Sequence, residues 1–185
     1  MASNVDHWPG IRAVTRRLFV LLAATLTWCA CAQRQSMTDE EKRSAIAGMY
    51  RGYHKDFPDI VDISVDDLAK LRENEDVVIV DVREPNEQAV SMIPGAITKE
   101  EFERRKVELR DKPIVVHCTI GYRSGVYAEG LAKDGIAAQN LEGSILSWAH
   151  AGQPLIDPKT GGPTKRVHVY GREWDLLPEG YEAVY

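Results

Sequence analysis

The chain has 185 residues, 44% hydrophobic and 28% charged, which is one domain of ordinary size with a remainder and excludes both a disordered chain and a transmembrane bundle. A formal net charge of −5 gives no broad cationic field for phosphate backbones, and without a nucleic-acid motif to offset it no nucleic-acid partner is expected. Three cysteines, Cys29, Cys31 and Cys118, are too few and too unevenly spaced for a disulfide framework.

Residues 1–32 read as an export signal segment. Three arginines precede an apolar run of eleven residues, Leu18 to Trp28, and small residues follow, the order of a secretory signal. In a helix rising ~1.5 Å per residue, that run spans about half of a ~30 Å hydrocarbon core, too little for a permanent span. Ala30-Cys31-Ala32 offers a small-x-small cleavage site that leaves Gln33 as the new terminus, and Thr15 to Val20, with Arg16 and Arg17, resembles a twin-arginine signal. The expected destination is the bacterial periplasm. A lipid on Cys29 or Cys31 is the alternative that would bring the protein to a membrane, although Trp28 fits a lipobox poorly. Translation starting at Met37 is the bland alternative. Cleavage after residue 32 leaves 20 basic and 27 acidic residues, a net charge of −7, and Cys118 as the one thiol.

The remainder divides into a helical extension (33–57), an alternating α/β body (58–155) and a Pro/Gly-rich extension (156–185). Thr38 with Glu41 forms a capping-box pattern before a helix whose Ile46, Met49, Tyr50 and Tyr53 share one face. Asp59 to Ile63 is a short strand candidate, and Ser64 with Asp67 starts a helix through Leu68 and Leu71. Val77 to Val80 and Ile114 to Val116 are continuous β-branched runs, the signature of strands buried on both faces of a parallel sheet. Charged Lys99 to Leu109 and then Ser124 to Lys133 read as helices, Ala138 to Leu141 as a strand, and Ile145 to Ala149 as a closing helix. Alternation of this kind predicts a central parallel sheet flanked by helices, with ligands at the carboxyl ends of its strands. Beyond it, Arg166 to Tyr170 is an edge-strand candidate, and Tyr170 and Trp174 are expected to be packing residues.

Cys118 stands directly after a buried strand and before a helix, where unpaired N–H groups and the helix dipole favour thiolate. In the loop Cys118-Thr119-Ile120-Gly121-Tyr122-Arg123, Gly121 permits positive φ, so the backbone can curl inward around the sulfur. Arg123 supplies a cation and a planar donor fork for an anionic ligand. Asp81 and Arg83, ending the neighbouring strand, are expected either to support the loop or to form a structural ion pair, the second being favoured. His117 is expected to face away from the sulfur. His54, His150 and His168 show no metal-site spacing, and no metal or cofactor is expected.

Taken in order, Val78-Ile-Val-Asp-Val-Arg-Glu84 with Pro85 and Glu87, Ile93-Pro-Gly-Ala96, Val115 to Ser124, Leu141-Glu-Gly143, and Trp148 with Gly152 make residues 58–155 resemble the rhodanese (sulfurtransferase) family. The resemblance implies a three-layer rhodanese-like α/β fold and a catalytic Cys118 that cycles through a persulfide, with Thr119, Ile120, Gly121, Tyr122, Arg123 and Ser124 holding the added sulfur. It implies a small-molecule sulfur donor, a thiol or cyanide acceptor, and leaves a protein acceptor or a relay role open. A non-catalytic binding module is the alternative outside enzymology. Cysteine phosphatases and arsenate reductases of related fold place five residues between Cys and Arg; here four intervene. Two departures, Ser91-Met92 before Ile93 and Ser144 after Gly143, fall outside the loop and are not expected to touch it.

Overall fold

The capping box forms as its sequence predicts. In this computed structural model, which describes residues 37–185, the Thr38 hydroxyl accepts from the Glu41 N–H at 3.2 Å while the Glu41 carboxylate accepts from the Thr38 N–H at 2.7 Å, starting helix α1 (Asp39–Tyr53). Ile46 and Tyr50 on its apolar face are buried. The export segment lies outside the described residues. Thr38–Tyr185 form one compact unit.

The two apolar runs become β2 (Val78–Asp81) and β4 (Ile114–His117), every residue of which is buried. They pair in parallel, Val80 opposite Val116 and Asp81 opposite His117. With β1 (Asp62–Ile63), β3 (Ile97–Thr98) and β5 (Gln139–Leu141) they form a five-stranded parallel sheet in the order β1-β5-β4-β2-β3. Between the strands lie α2 (Val65–Asn74), α3 (Pro85–Gln88), α4 (Lys99–Leu109), α5 (Tyr122–Lys133) and α6 (Ser144–His150). Strand alternation divides the core in two. Val78, Val80, Ile114 and Val116 pack with Phe102 of α4 and Leu131 of α5. Ile79 and Val115 face the other way, toward Ile46 of α1, Leu68 of α2 and Ile145 and Trp148 of α6. This is the three-layer α/β architecture expected.

The tail strand forms at Arg166–His168 (β6) as an edge strand, outside the central sheet: it pairs in parallel with β7 (Glu182–Val184) in a sheet of two strands, and Val167 and Val169 are buried in the core beside α1 and α6. Lys42 of α1 donates to the Leu177 carbonyl at 2.7 Å, and the Glu179 N–H reaches Asp39 at 3.1 Å. The described part of the first extension and the tail therefore meet on one face of the sheet.

Candidate active site

Cys118 follows the last residue of β4, and the chain turns through Thr119, Ile120 and Gly121 into α5. Gly121 has φ +115°, and a Cβ there would lie 2.3 Å from the Tyr50 ring, so glycine is demanded twice, by conformation and by space. The turn aims the Gly121 N–H at the Cys118 sulfur, 3.1 Å away, with the Ser124 hydroxyl 3.5 Å from it. The Gly121 carbonyl is held by the Asn140 amide at 2.9 Å, which also donates to the Tyr50 hydroxyl at 3.0 Å; that hydroxyl donates to Asp62.

Ser144 corrects an expectation. It touches the loop directly: its hydroxyl accepts from the Cys118 N–H at 3.0 Å, and the next two N–H groups, of Ile145 and Leu146, reach the Cys118 and Thr119 carbonyls at 3.2 and 3.3 Å. Its φ is +51°, a conformation unusual outside Gly, Asn and Asp, and this bond with the loop helps to hold it there.

Cys118 is almost fully buried, at 1% exposure. Burial pushes its pKa up, but the Ser124 hydroxyl, the positive charge of Arg123 and the N–H groups of Ser124 and Gly121 together outweigh it and bring the thiol below its ordinary value. The rate of alkylation by iodoacetamide should accordingly rise through an inflection below the value of an unperturbed cysteine thiol. Removing one stabiliser of the thiolate, in Ser124→Ala, should move the inflection up; an inflection at or above that value in the unaltered protein would contradict the assignment.

The donor fork of Arg123 is partly engaged within the protein. Its two terminal nitrogens donate to Glu87 at 2.6 and 2.8 Å, and one also reaches the Thr119 hydroxyl at 3.0 Å, while Thr119 itself donates to Glu87 at 3.1 Å. Although burial raises the Glu87 pKa, Arg123, the Glu84 N–H and Arg83 bring it below the ordinary glutamate value. Arg123 is thus paired with a carboxylate, and Glu87, part of the quoted motif, is the functional-site contact that residue-by-residue reasoning missed. Asp81 and Arg83 form the favoured structural pair: Arg83 binds Asp81 through Nη2 at 2.6 Å and the Ser91 carbonyl at 2.6 Å. Neither lines the pocket at Cys118. Burial dominates at His117 and lowers its pKa; it lies 3.7 Å from Asp81, on the sheet face opposite Cys118 by strand alternation.

Above the sulfur opens a pocket of about 270 Å³ lined by Cys118, Thr119, Ile120, Arg123 and four aromatic residues, Tyr53, Tyr122, Tyr170 and Trp174. Tyr170 and Trp174 are therefore wall residues, because the β6–β7 sheet carries the tail back across the site; for exposed Tyr170 this is contrary to expectation, whereas Trp174 also packs against the core as expected. Tyr53 stacks near Trp174 (6.4 Å between centroids, 28° between planes) and meets Tyr122 edge-on at 5.3 Å. The Arg123 guanidinium sits 5.5 Å over the Tyr170 ring, a cation–π distance. Among the described residues, no group of three or more His, Cys, Asp or Glu side chains is placed to hold a metal ion.

A family model described as Rhodanese-like domain matches residues 64–151. The chain is 35% identical over 97 residues to a protein named "Sulfurtransferase" from Allochromatium vinosum, covering 49% of this chain and 88% of that protein. It is 31% identical over 93 residues to "Thiosulfate sulfurtransferase GlpE" from Pseudoalteromonas translucida, covering 48% of this chain and 89% of the relative. The crystal structure of a thiosulfate sulfurtransferase from Pseudomonas aeruginosa superposes with a TM-score of 0.50 at 24% identity, over 60% of this chain and 22% of that one, a likeness of fold alone. Fold, ordered motifs and relatives agree: the chain belongs to the rhodanese-like family of sulfurtransferase type.

Proposed function

We propose that the protein moves a sulfane sulfur from a donor, such as thiosulfate or a persulfide, to a thiol or cyanide through a persulfide on Cys118. The observation that carries this reading is the buried Cys118 sulfur at the floor of an open pocket, with the Gly121 N–H 3.1 Å from it. The Cys118 thiolate attacks the outer sulfur of the donor; the donor's S–S bond breaks, and sulfite or a thiolate leaves with the electron pair. The terminal sulfur then carries the negative charge, which the inward N–H groups stabilise as an oxyanion hole stabilises oxygen. An acceptor nucleophile attacks that sulfur, the bond to Sγ breaks, and the thiolate returns. Two-substrate kinetics with thiosulfate and cyanide, read as thiocyanate, should give the parallel reciprocal plots of a covalent relay. Intersecting plots would mean direct transfer and defeat the scheme.

We propose export to the bacterial periplasm on the sequence of residues 12–32, with a form beginning near Gln33 recovered outside the cytoplasm. Arg16→Lys with Arg17→Lys should block a twin-arginine route while the general route tolerates it. An uncleaved cytoplasmic protein would refute export; a membrane-bound form with a blocked terminus would point to lipid on a cysteine.

A further inference from the structure

The family match covers residues 64–151, yet three of the four aromatic walls of the Cys118 pocket come from outside it: Tyr53 from the end of α1, and Tyr170 and Trp174 from the tail. They are held there by specific contacts. Tyr170 takes φ +70°, rarely adopted by a bulky residue, and its N–H donates to the His168 ring at 3.2 Å. Its ring, 65% exposed, lies against the Arg123 guanidinium instead of turning into the core. A strained, exposed aromatic residue lining the pocket of a reactive sulfur marks a functional contact better than a packing one.

The charge balance of the pocket narrows what can enter. Its one charged lining residue besides the thiolate is Arg123, and both terminal nitrogens of Arg123 are committed to Glu87. With Cys118 as thiolate or persulfide, the three groups sum to one negative charge, which disfavours each further negative charge on an incoming molecule and leaves a neutral apolar body unopposed. The volume of about 270 Å³ exceeds the roughly 150 Å³ of an apolar cavity that accepts benzene, leaving room for a phenyl-sized body and a short arm to the sulfur.

We infer that the sulfur acceptor is an uncharged organic thiol with a flat apolar body of about phenyl size, seated among Tyr53, Tyr122, Tyr170 and Trp174. This rests on the persulfide reading above. The acceptor loses its proton to solvent, and its thiolate attacks the terminal sulfur of Cys118–S–S⁻. An S–S bond forms on the acceptor, the bond to Sγ breaks, and the electron pair returns to Cys118, so the product is an organic hydropersulfide and no oxidant is consumed. The same electrostatics ranks a neutral or singly charged organic persulfide above dianionic thiosulfate as donor.

The test begins with the full chain loaded by polysulfide, freed of excess donor and checked for the added sulfur by mass. The loaded protein is then discharged by benzyl mercaptan and by 2-mercaptoethanol, and the second-order rate constants are compared per unit of thiolate. Burying a phenyl-sized side chain is worth ~1.5–3 kcal/mol, so benzyl mercaptan should be faster by roughly ten- to a hundredfold. Trp174→Ala should cut that ratio about tenfold and Trp174→Phe should restore most of it; Tyr170→Ala, at an exposed position, should also lower it if Trp174→Ala fails to fold. Loading followed by equal rates, or a ratio unmoved by the folded wall variants, overturns the inference and leaves the persulfide scheme standing. Failure to load overturns both.

Discussion

Cys118→Ser is expected to lower sulfur transfer by on the order of 10³-fold or more, the scale on which removal of a covalent nucleophile is felt. A serine hydroxyl stays protonated at neutral pH, and no base is positioned against it: the groups around the sulfur are the Gly121 N–H, the Ser124 hydroxyl and the Arg123 charge. These stabilise an anion without creating one from an alcohol. The fold should survive, since serine is no larger than cysteine and finds the Gly121 N–H already aimed at it. Thermal unfolding close to that of the unaltered protein, beside lost thiocyanate formation, is the result expected; retention of a tenth or more of the activity would remove Cys118 from the mechanism.

Glu87→Ala is expected to destabilise the protein by about 3 kcal/mol, the lower end of what is lost when one partner of a buried ion pair is removed. The lower end applies because the Arg123 side chain is 30% exposed against 2% for Glu87, so water can partly solvate the abandoned cation. Thr119 loses its acceptor as well. Glu87→Gln keeps the volume and one acceptor and should cost less, and by leaving the Arg123 charge uncancelled it should move the Cys118 alkylation inflection further down. The contribution is pH-dependent. The Glu87 pKa lies below its ordinary 4.5 in the folded protein, so its stabilisation is complete above that value and fades as pH falls through the folded pKa. Denaturant titrations of the two proteins should therefore converge in strong acid; a difference that stays constant there would mean that Glu87 acts by packing alone.

What was legible follows from where information is local. Val77 to Val80 and Ile114 to Val116 declared themselves as apolar β-branched runs, Thr38 and Ser64 as helix caps, and Gly121 as a turn with a purpose, because each property belongs to a few consecutive residues. The partner of Arg123 was not local: Glu87 lies 36 residues away and meets it only because β2 and β4 are neighbours in the sheet. Ser144 carried the same difficulty, since its bond to the Cys118 N–H joins the end of one strand to the start of a helix 26 residues further on. For the wall roles of Tyr170 and Trp174 there was no local signal. Their surroundings offered Arg166 to Tyr170 as a strand candidate but not its partner β7, whose pairing returns them to the pocket. A positive φ at a tyrosine has no sequence signature comparable to a glycine's.

The central claim is that Cys118 accepts and holds a sulfur atom, and intact-mass measurement tests it most directly. The full chain is treated with thiosulfate or polysulfide, desalted and weighed before and after cyanide, with Cys118→Ser carried alongside. A single gain of about 32 Da on the unaltered protein, located on Cys118, removed by cyanide and absent from the serine variant, is the predicted result for a persulfide. An unchanged mass with both donors, or an equal gain in Cys118→Ser, would contradict the account.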